Sequence, residues 1–170
     1  MKKNLLLLAI ALVGGLLFTG CKNNDDDTSA PESSTLIANY LGATTGNSQH
    51  FQGLKMPNVT DTVFVSAAVQ NSSNFDIRYK SSYWGEATFA DVPAQKVDGK
   101  WVFGEAQGTI KMPNRNPNGG GTAYNEYPAT LTASAIGPEQ ANGKWKTATF
   151  TVNANLGERA GIYAMVFATE

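Results

Sequence analysis

The chain has 170 residues, of which 42% are hydrophobic and only 16% charged, with 13 Lys and Arg against 14 Asp and Glu. A balance this close to neutral, with no clustered basic footprint, excludes nucleic acid as an expected partner. Abundant Gly and Thr, plentiful aromatics and the lack of long Leu/Glu/Lys-rich stretches give the composition of an all-β domain, and the single cysteine excludes an internal disulfide.

The chain opens on a basic start, Met1-Lys2-Lys3-Asn4, followed by the uncharged, apolar run Leu5 to Phe18 and the small residues Thr19-Gly20. These are the three regions of a secretory signal. The run is too short to cross a bilayer, which takes about 20 apolar residues. Cys21, the only cysteine, directly follows it. Thr19-Gly20-Cys21 resembles the lipobox of bacterial lipoproteins. That resemblance implies cleavage before Cys21, diacylation of its sulfur and acylation of the new N-terminus, with palmitate among the chains. Two or three acyl chains anchor stably where one does not. The next run, Lys22-Asn23-Asn24-Asp25-Asp26-Asp27, is a solvated tether. It also resembles the acidic export signal that sends lipoproteins of anaerobic gut bacteria to the outer face of the outer membrane. The expected organisation is residues 1–20 as signal, 21–34 as acylated Cys21 and flexible acidic tether, and 35–170 as one folded domain. A coil of about 13 residues reaches ~20 Å, which keeps the domain near the membrane.

Thr35 to Leu41 reads as a first strand, and Gly42 to Thr60 as less regular chain, broken by Gly46, Gly53, Pro57 and Asn58, that holds either a poorly marked strand or a long loop. Thr62 to Val69 alternates, with Val63, Val65, Ala67 and Val69 on one face. After the turn residues Asn71 to Asn74, Phe75, Ile77 and Tyr79 alternate with Asp76, Arg78 and Lys80, the clearest strand signal in the chain. Tyr83 to Val92 follows with Tyr83, Gly85, Ala87 and Phe89 in phase. Asp98-Gly99 predicts a type I′ hairpin turn, because both central residues of that turn need positive φ. Trp101 to Met112 reads as one long strand whose Gly104 and Gly108 mark bulges or bends. Pro113 to Gly121 reads as a mobile hairpin tip.

Beyond it, Ala123 to Ile136 sets Ala129, Leu131, Ala133 and Ala135 against Thr130, Thr132 and Ser134. Asn142-Gly143-Lys144-Trp145 repeats the earlier turn chemistry. Ala148, Phe150, Val152 and Ala154 share one face of the next strand. Ile162 to Ala168 is apolar on both faces, a pattern that needs cover on both sides or leaves an exposed stripe.

About eight strands joined by short turns predict an all-β, antiparallel, up-and-down β-barrel, since eight is the number that closes a small barrel. A two-sheet β-sandwich is the alternative. The lipobox and tether, followed by Phe75-Asp76-Ile77-Arg78-Tyr79, Gly85 to Val92, Trp101-Val102-Phe103-Gly104 and Gly161 to Phe167, resemble the calycin-like lipoproteins of gut anaerobes. That resemblance spans residues 35 to 170 and implies a lipocalin-like barrel. Gly99-Lys100-Trp101 and Gly143-Lys144-Trp145 lie too late in the chain to match the Gly-x-Trp of lipocalins.

His50 is the only histidine, too few ligands for a zinc site, and it reads as a polar loop residue. No nucleophile elbow, P-loop or dinucleotide fingerprint appears, so the chain reads as non-catalytic and free of cofactors. Asp61, Asp76, Glu86, Asp91 and Glu105 read as solubilising rather than as paired acids. Asp61-Thr62-Val63 resembles a bacterial O-glycosylation site.

Two features point to binding. Many presumed inner positions are small (Ala67, Ala87, Ala129, Ala133, Ala135, Ala148, Ala154, Ala164), which leaves a hollow barrel unless Phe75, Tyr79, Phe89, Phe103 and Phe150 fill it. Trp84, Trp101 and Trp145 lie at strand ends, where they either line a pocket mouth or plug a barrel end. The candidate ligand-binding residues are Tyr79, Trp84, Phe89, Trp101, Phe103, Trp145 and Phe150, and Cys21 is the lipidation site. The expected partners are a membrane, through the lipid anchor, and a small apolar or amphipathic molecule. The alternative is an accessory or adhesion module recognising glycan or protein through its outer surface.

Overall fold

The computed structural model describes residues 35–114, 123–140, 145, 147–158 and 160–169. The signal, Cys21, the tether, most of the expected hairpin tip and the turn at 142–144 lie outside the described residues. Eleven strands are present among the described residues: β1 (Ala38–Asn47), β2 (Leu54–Lys55), β3 (Asp61–Ala67), β4 (Phe75–Ser81), β5 (Gly85–Val92), β6 (Ala94–Val97), β7 (Lys100–Phe103), β8 (Ala106–Pro113), β9 (Tyr124–Ile136), β10 (Ala148–Asn155) and β11 (Ile162–Thr169). Every pairing is antiparallel. The order β10-β11-β1-β3-β4-β5-β8-β9 returns to β10, so eight strands close into an up-and-down barrel and the sandwich alternative falls away. The extra strands extend the staves: β2 continues the line of β3 beside β1, while the β6–β7 hairpin continues β5 and β8 beyond Pro93 and Gly104.

The barrel has two ends. Thr35, the β3–β4 turn, the β6–β7 hairpin and Trp145 lie at the proximal end, where the Trp145 indole N–H donates to the Thr35 carbonyl at 3.1 Å. At the distal end lie the loop after β1, the β4–β5 turn, the start of β9 and the β10–β11 turn.

Period-2 alternation sets the core. Val63, Val65, Phe75, Ile77, Tyr79, Ala87, Phe89, Phe150, Val152 and Ala154 all point inward and are buried. A run of tilted and edge-on aromatics fills the barrel middle, with centroids 5.8 Å apart for Phe75–Phe103, 5.5 Å for Phe103–Phe150 and 6.2 Å for Phe150–Phe167. The alanines Ala87, Ala129, Ala148 and Ala154 are buried in the same continuous core as these rings.

Several expected phases shift at identifiable places. The first strand does not end at Leu41 but continues to Asn47, and Gly42 to Thr60 includes β2 as well. β3 ends at Ala67, because the Ala68 amide turns to donate to the Asn74 carbonyl at 3.0 Å; Ala68 is buried in place of Ala67, and Val69 is 94% exposed. In β5, a bulge with Asp91 at φ 55 carries Val92 inward. In β9, Ala133 at φ 44 is the extra residue of a second bulge, so Ser134 and Ile136 face inward where Ala133 and Ala135 were expected. Ser134 Oγ steadies that bulge, donating to the Thr132 carbonyl at 2.9 Å and accepting from the Thr151 amide at 3.2 Å. The Asp98-Gly99 turn has the expected conformation, with φ 50 and 73. The long strand from Trp101 is interrupted at Gly104–Glu105. In β11, Met165 and Phe167 take the inner face, and Ile162, Ala164, Val166 and Ala168 form the outer stripe.

Closure depends on β1. Its first half pairs with β3 and its second half with β11, and Gly42 serves both, opposite Asp61 and Thr169. A Cβ at Gly42 would overlap the Ala168 carbonyl. Gly42→Ala is therefore expected to lower stability by about 1–3 kcal/mol through overpacking at the seam. An unchanged urea midpoint would show that the seam has slack.

Candidate functional site

The β4–β5 turn aims Trp84. Ser81 Oγ accepts the Tyr83 amide at 3.1 Å and the Trp84 amide at 3.0 Å, closing a tight turn that folds the indole inward. Trp84 is 3% exposed and lies on Gly46 of β1, where any Cβ would overlap the ring. Phe51 packs on Trp84 at 6.2 Å and meets Tyr163 edge-on at 5.3 Å, while Tyr83 meets Trp84 edge-on at 4.8 Å.

These rings border a distal-end cleft of about 300 Å3. Leu54, Met112, Tyr127 and Leu156 complete its apolar wall, and Asn114 and Asn125 supply amides. No acidic or basic side chain lines it among the described residues. The described lining thus presents a broad apolar face with a few hydrogen-bonding groups.

Of the seven aromatic residues singled out in the sequence, Trp84 alone borders this cleft. Tyr79, Phe89, Phe103 and Phe150 are buried in the barrel. Trp101 and Trp145 are at the proximal end, half-buried, and the Trp101 indole nitrogen is buried without a hydrogen-bond partner among the described residues. The three tryptophans thus divide between the two ends. Phe51, Tyr83, Tyr127 and Tyr163 were not singled out. Phe51 sits in the stretch read as irregular, and Tyr163 on a strand whose inner face its own pattern leaves undecided. His50 is exposed in the loop after β1, within 3.1 Å of the Gln49 amide.

Beneath Trp84 the interior turns polar. Thr44 Oγ1 and Tyr79 OH are 2.9 Å apart, and Asp61 and Ser81 are buried beside them. Tyr40 lies deeper and donates to the Leu36 carbonyl at 3.0 Å. Burial pushes the Tyr40 hydroxyl up from 10.0 to about 12. Burial raises Tyr79 as well, opposed by its Thr44 hydrogen bond.

A second concavity, about 610 Å3 and open to solvent, lies on the outer face of β3, β4, β5 and β8. Arg78 crosses it, with its guanidinium 5.6 Å from the Phe64 ring centre and paired to Glu86. The hydrogen bond from Arg78 holds the Glu86 carboxyl below its ordinary range. Asp76 and Gln107 border the same surface.

Two outcomes are expected. Gly46→Ala pushes the indole off its seat, and the tryptophan emission shifts to the red; an unshifted spectrum would mean that the ring does not rest there. A tyrosine held neutral in the fold contributes stability that is full below pH 10 and is lost as pH rises from 10 through about 12. Absorbance at 295 nm should therefore show Tyr40 and Tyr79 ionising only as the near-ultraviolet circular dichroism collapses. Ionisation of every tyrosine near pH 10 with the signal intact would contradict the burial.

No family model matches the chain, and no curated protein matches it. Among solved structures, the chain is similar to a candidate outer membrane protein from Bacteroides fragilis, with 15% identity and a TM-score of 0.53. The similarity covers 81% of this chain and 45% of that one, so the chain spans less than half the length of its neighbour. At this identity the likeness is one of fold.

Proposed function

We propose that the chain is a calycin-like lipoprotein, held on the outer membrane by acylated Cys21, whose barrel binds a small neutral amphipathic molecule in the distal cleft. The observation that carries this reading is the aromatic-walled cleft of about 300 Å3, at the lower end of the usual ligand-pocket range, ~300–1,000 Å3. Its placement supports the reading too. Thr35, the residue that follows the tether in the sequence, lies at the end of the barrel opposite the cleft. The Bacteroides neighbour, itself a candidate outer membrane protein, supports the compartment. The signal and Thr19-Gly20-Cys21 support the anchor.

A filled barrel middle and the outer concavity favour a second reading, an adhesion module that recognises glycan through Arg78, Asp76 and Gln107.

Native mass spectrometry of the full chain in mild detergent tests the first reading. A retained neutral mass is expected, and Tyr163→Ala should weaken its binding about tenfold, the ~1.4 kcal/mol lost with one aromatic contact. Bare protein together with a glycan-array signal that Arg78→Ala abolishes would move the assignment to the outer face. Cys21→Ser is expected to shift the protein from the detergent phase to the aqueous phase; retention in the detergent phase would remove the anchor from the account.

A further inference from the structure

Four buried oxygen-bearing side chains lie on neighbouring inward positions below Trp84. β1 contributes Thr44, β3 contributes Asp61, and β4 contributes Tyr79 and Ser81. The registers Gly42↔Asp61, Thr62↔Lys80 and Val63↔Tyr79 bring them to one level. Their exposures are 2%, 1%, 1% and 6%. The hydroxyls largely satisfy one another. Ser81 Oγ accepts two amides, which leaves its proton to donate, and Tyr79 shares a hydrogen bond with Thr44 at 2.9 Å. Asp61 does not join them: its Oδ1 is buried with no hydrogen-bond partner among the described residues.

No cation among the described residues is buried beside that carboxylate. Every described lysine and arginine, and His50, is exposed. A carboxylate taken out of water without a counter-charge costs several kcal/mol, a large share of a domain's net stability. Something besides the described side chains must meet Oδ1.

We propose that Asp61 Oδ1, with the hydroxyl oxygens of Thr44 and Tyr79, holds a small monovalent cation of sodium size inside the barrel. The charge sets the valence. One carboxylate among neutral hydroxyls balances a single positive charge, whereas calcium and magnesium seek more anionic oxygens. No group of three His, Cys, Asp or Glu side chains is assembled among the described residues. The cover points to a small ion: the Trp84 ring lies over Gly46 on the distal side, and Phe167 is the strand partner of Thr44. This site is separate from the cleft above Trp84 and stands or falls independently of it.

The test is thermal unfolding of the full chain in non-ionic detergent, with sodium chloride exchanged for choline chloride at constant ionic strength. The wild type is expected to show a saturable rise in Tm, about 4 °C when sodium is tenfold above its Kd. Asp61→Asn, which keeps the shape and removes the charge, should abolish the response, and Thr44→Val should need about ten times more sodium for half the effect. The Thr44→Val variant keeps the test open if Asp61→Asn fails to fold. Broadening of the 23Na resonance by wild-type protein, reduced in Thr44→Val, is the direct readout. A wild-type Tm that does not distinguish sodium from choline overturns the proposal. A sodium response that survives in Asp61→Asn overturns it equally.

Discussion

The barrel exists because its first strand can serve two partners at once. β1 runs beside β3 for its first half and beside β11 for its second, and the change of partner falls at Gly42, where the backbones come too close for any side chain. An eight-stranded sheet that failed to close there would expose two unpaired edges and the aromatic core behind them. Closure orders the interior as well. Once β11 docks, Phe167 joins the ring series through Phe150 and Phe103 to Phe75, and Met165 comes opposite Gly46. The aromatic filling and the seam are thus one cooperative unit. The residues at the distal end escape it, because the strands there splay into turns and the side chains meet edge to edge around a gap.

Much of this was legible in the chain, and the reasons differ from place to place. β4 and β10 alternate without interruption, so their inner faces could be read directly, and Asp98-Gly99 could scarcely form any other turn. Where the reading slipped, a residue had been inserted or a strand had ended. Ala133 carries no mark of the left-handed conformation it adopts; the demand comes from β7 and β10 flanking the same stretch of β9. Asp91 at least belongs to a residue type that tolerates positive φ, and its amide and carbonyl are held by Asp76 and Asn74. β11 posed a different difficulty. Apolar on both faces, it could not declare which side faced the core, and the choice was made by its neighbours, which place Thr45 and Thr151 beside Val166 on the outside.

The cleft was the least legible feature. Its walls come from six separated segments, none with a local signature, and they converge only because all six lie at the same end of the staves. Tryptophan position in the sequence pointed correctly to strand ends but could not say which end, and the two ends differ. At the proximal end Trp145 is spent on fastening Thr35; at the distal end Trp84 separates an aromatic recess from a polar interior. That interior layer is unusual for a barrel otherwise filled with rings, since three hydroxyls and a carboxylate occupy a level that Val or Leu could have packed.

The β6–β7 hairpin has a consequence of its own. β6 pairs with β7 alone among the described strands, as β2 pairs with β1 alone, so a barrel whose eight staves close on themselves keeps short margins at these added strands. Pro93, at the root of β6, offers no amide, and the four-residue strand carries Gln95 and Lys96. A long bare margin would let neighbouring molecules zip together strand to strand. A brief, charged margin interrupted by proline lets them touch and part.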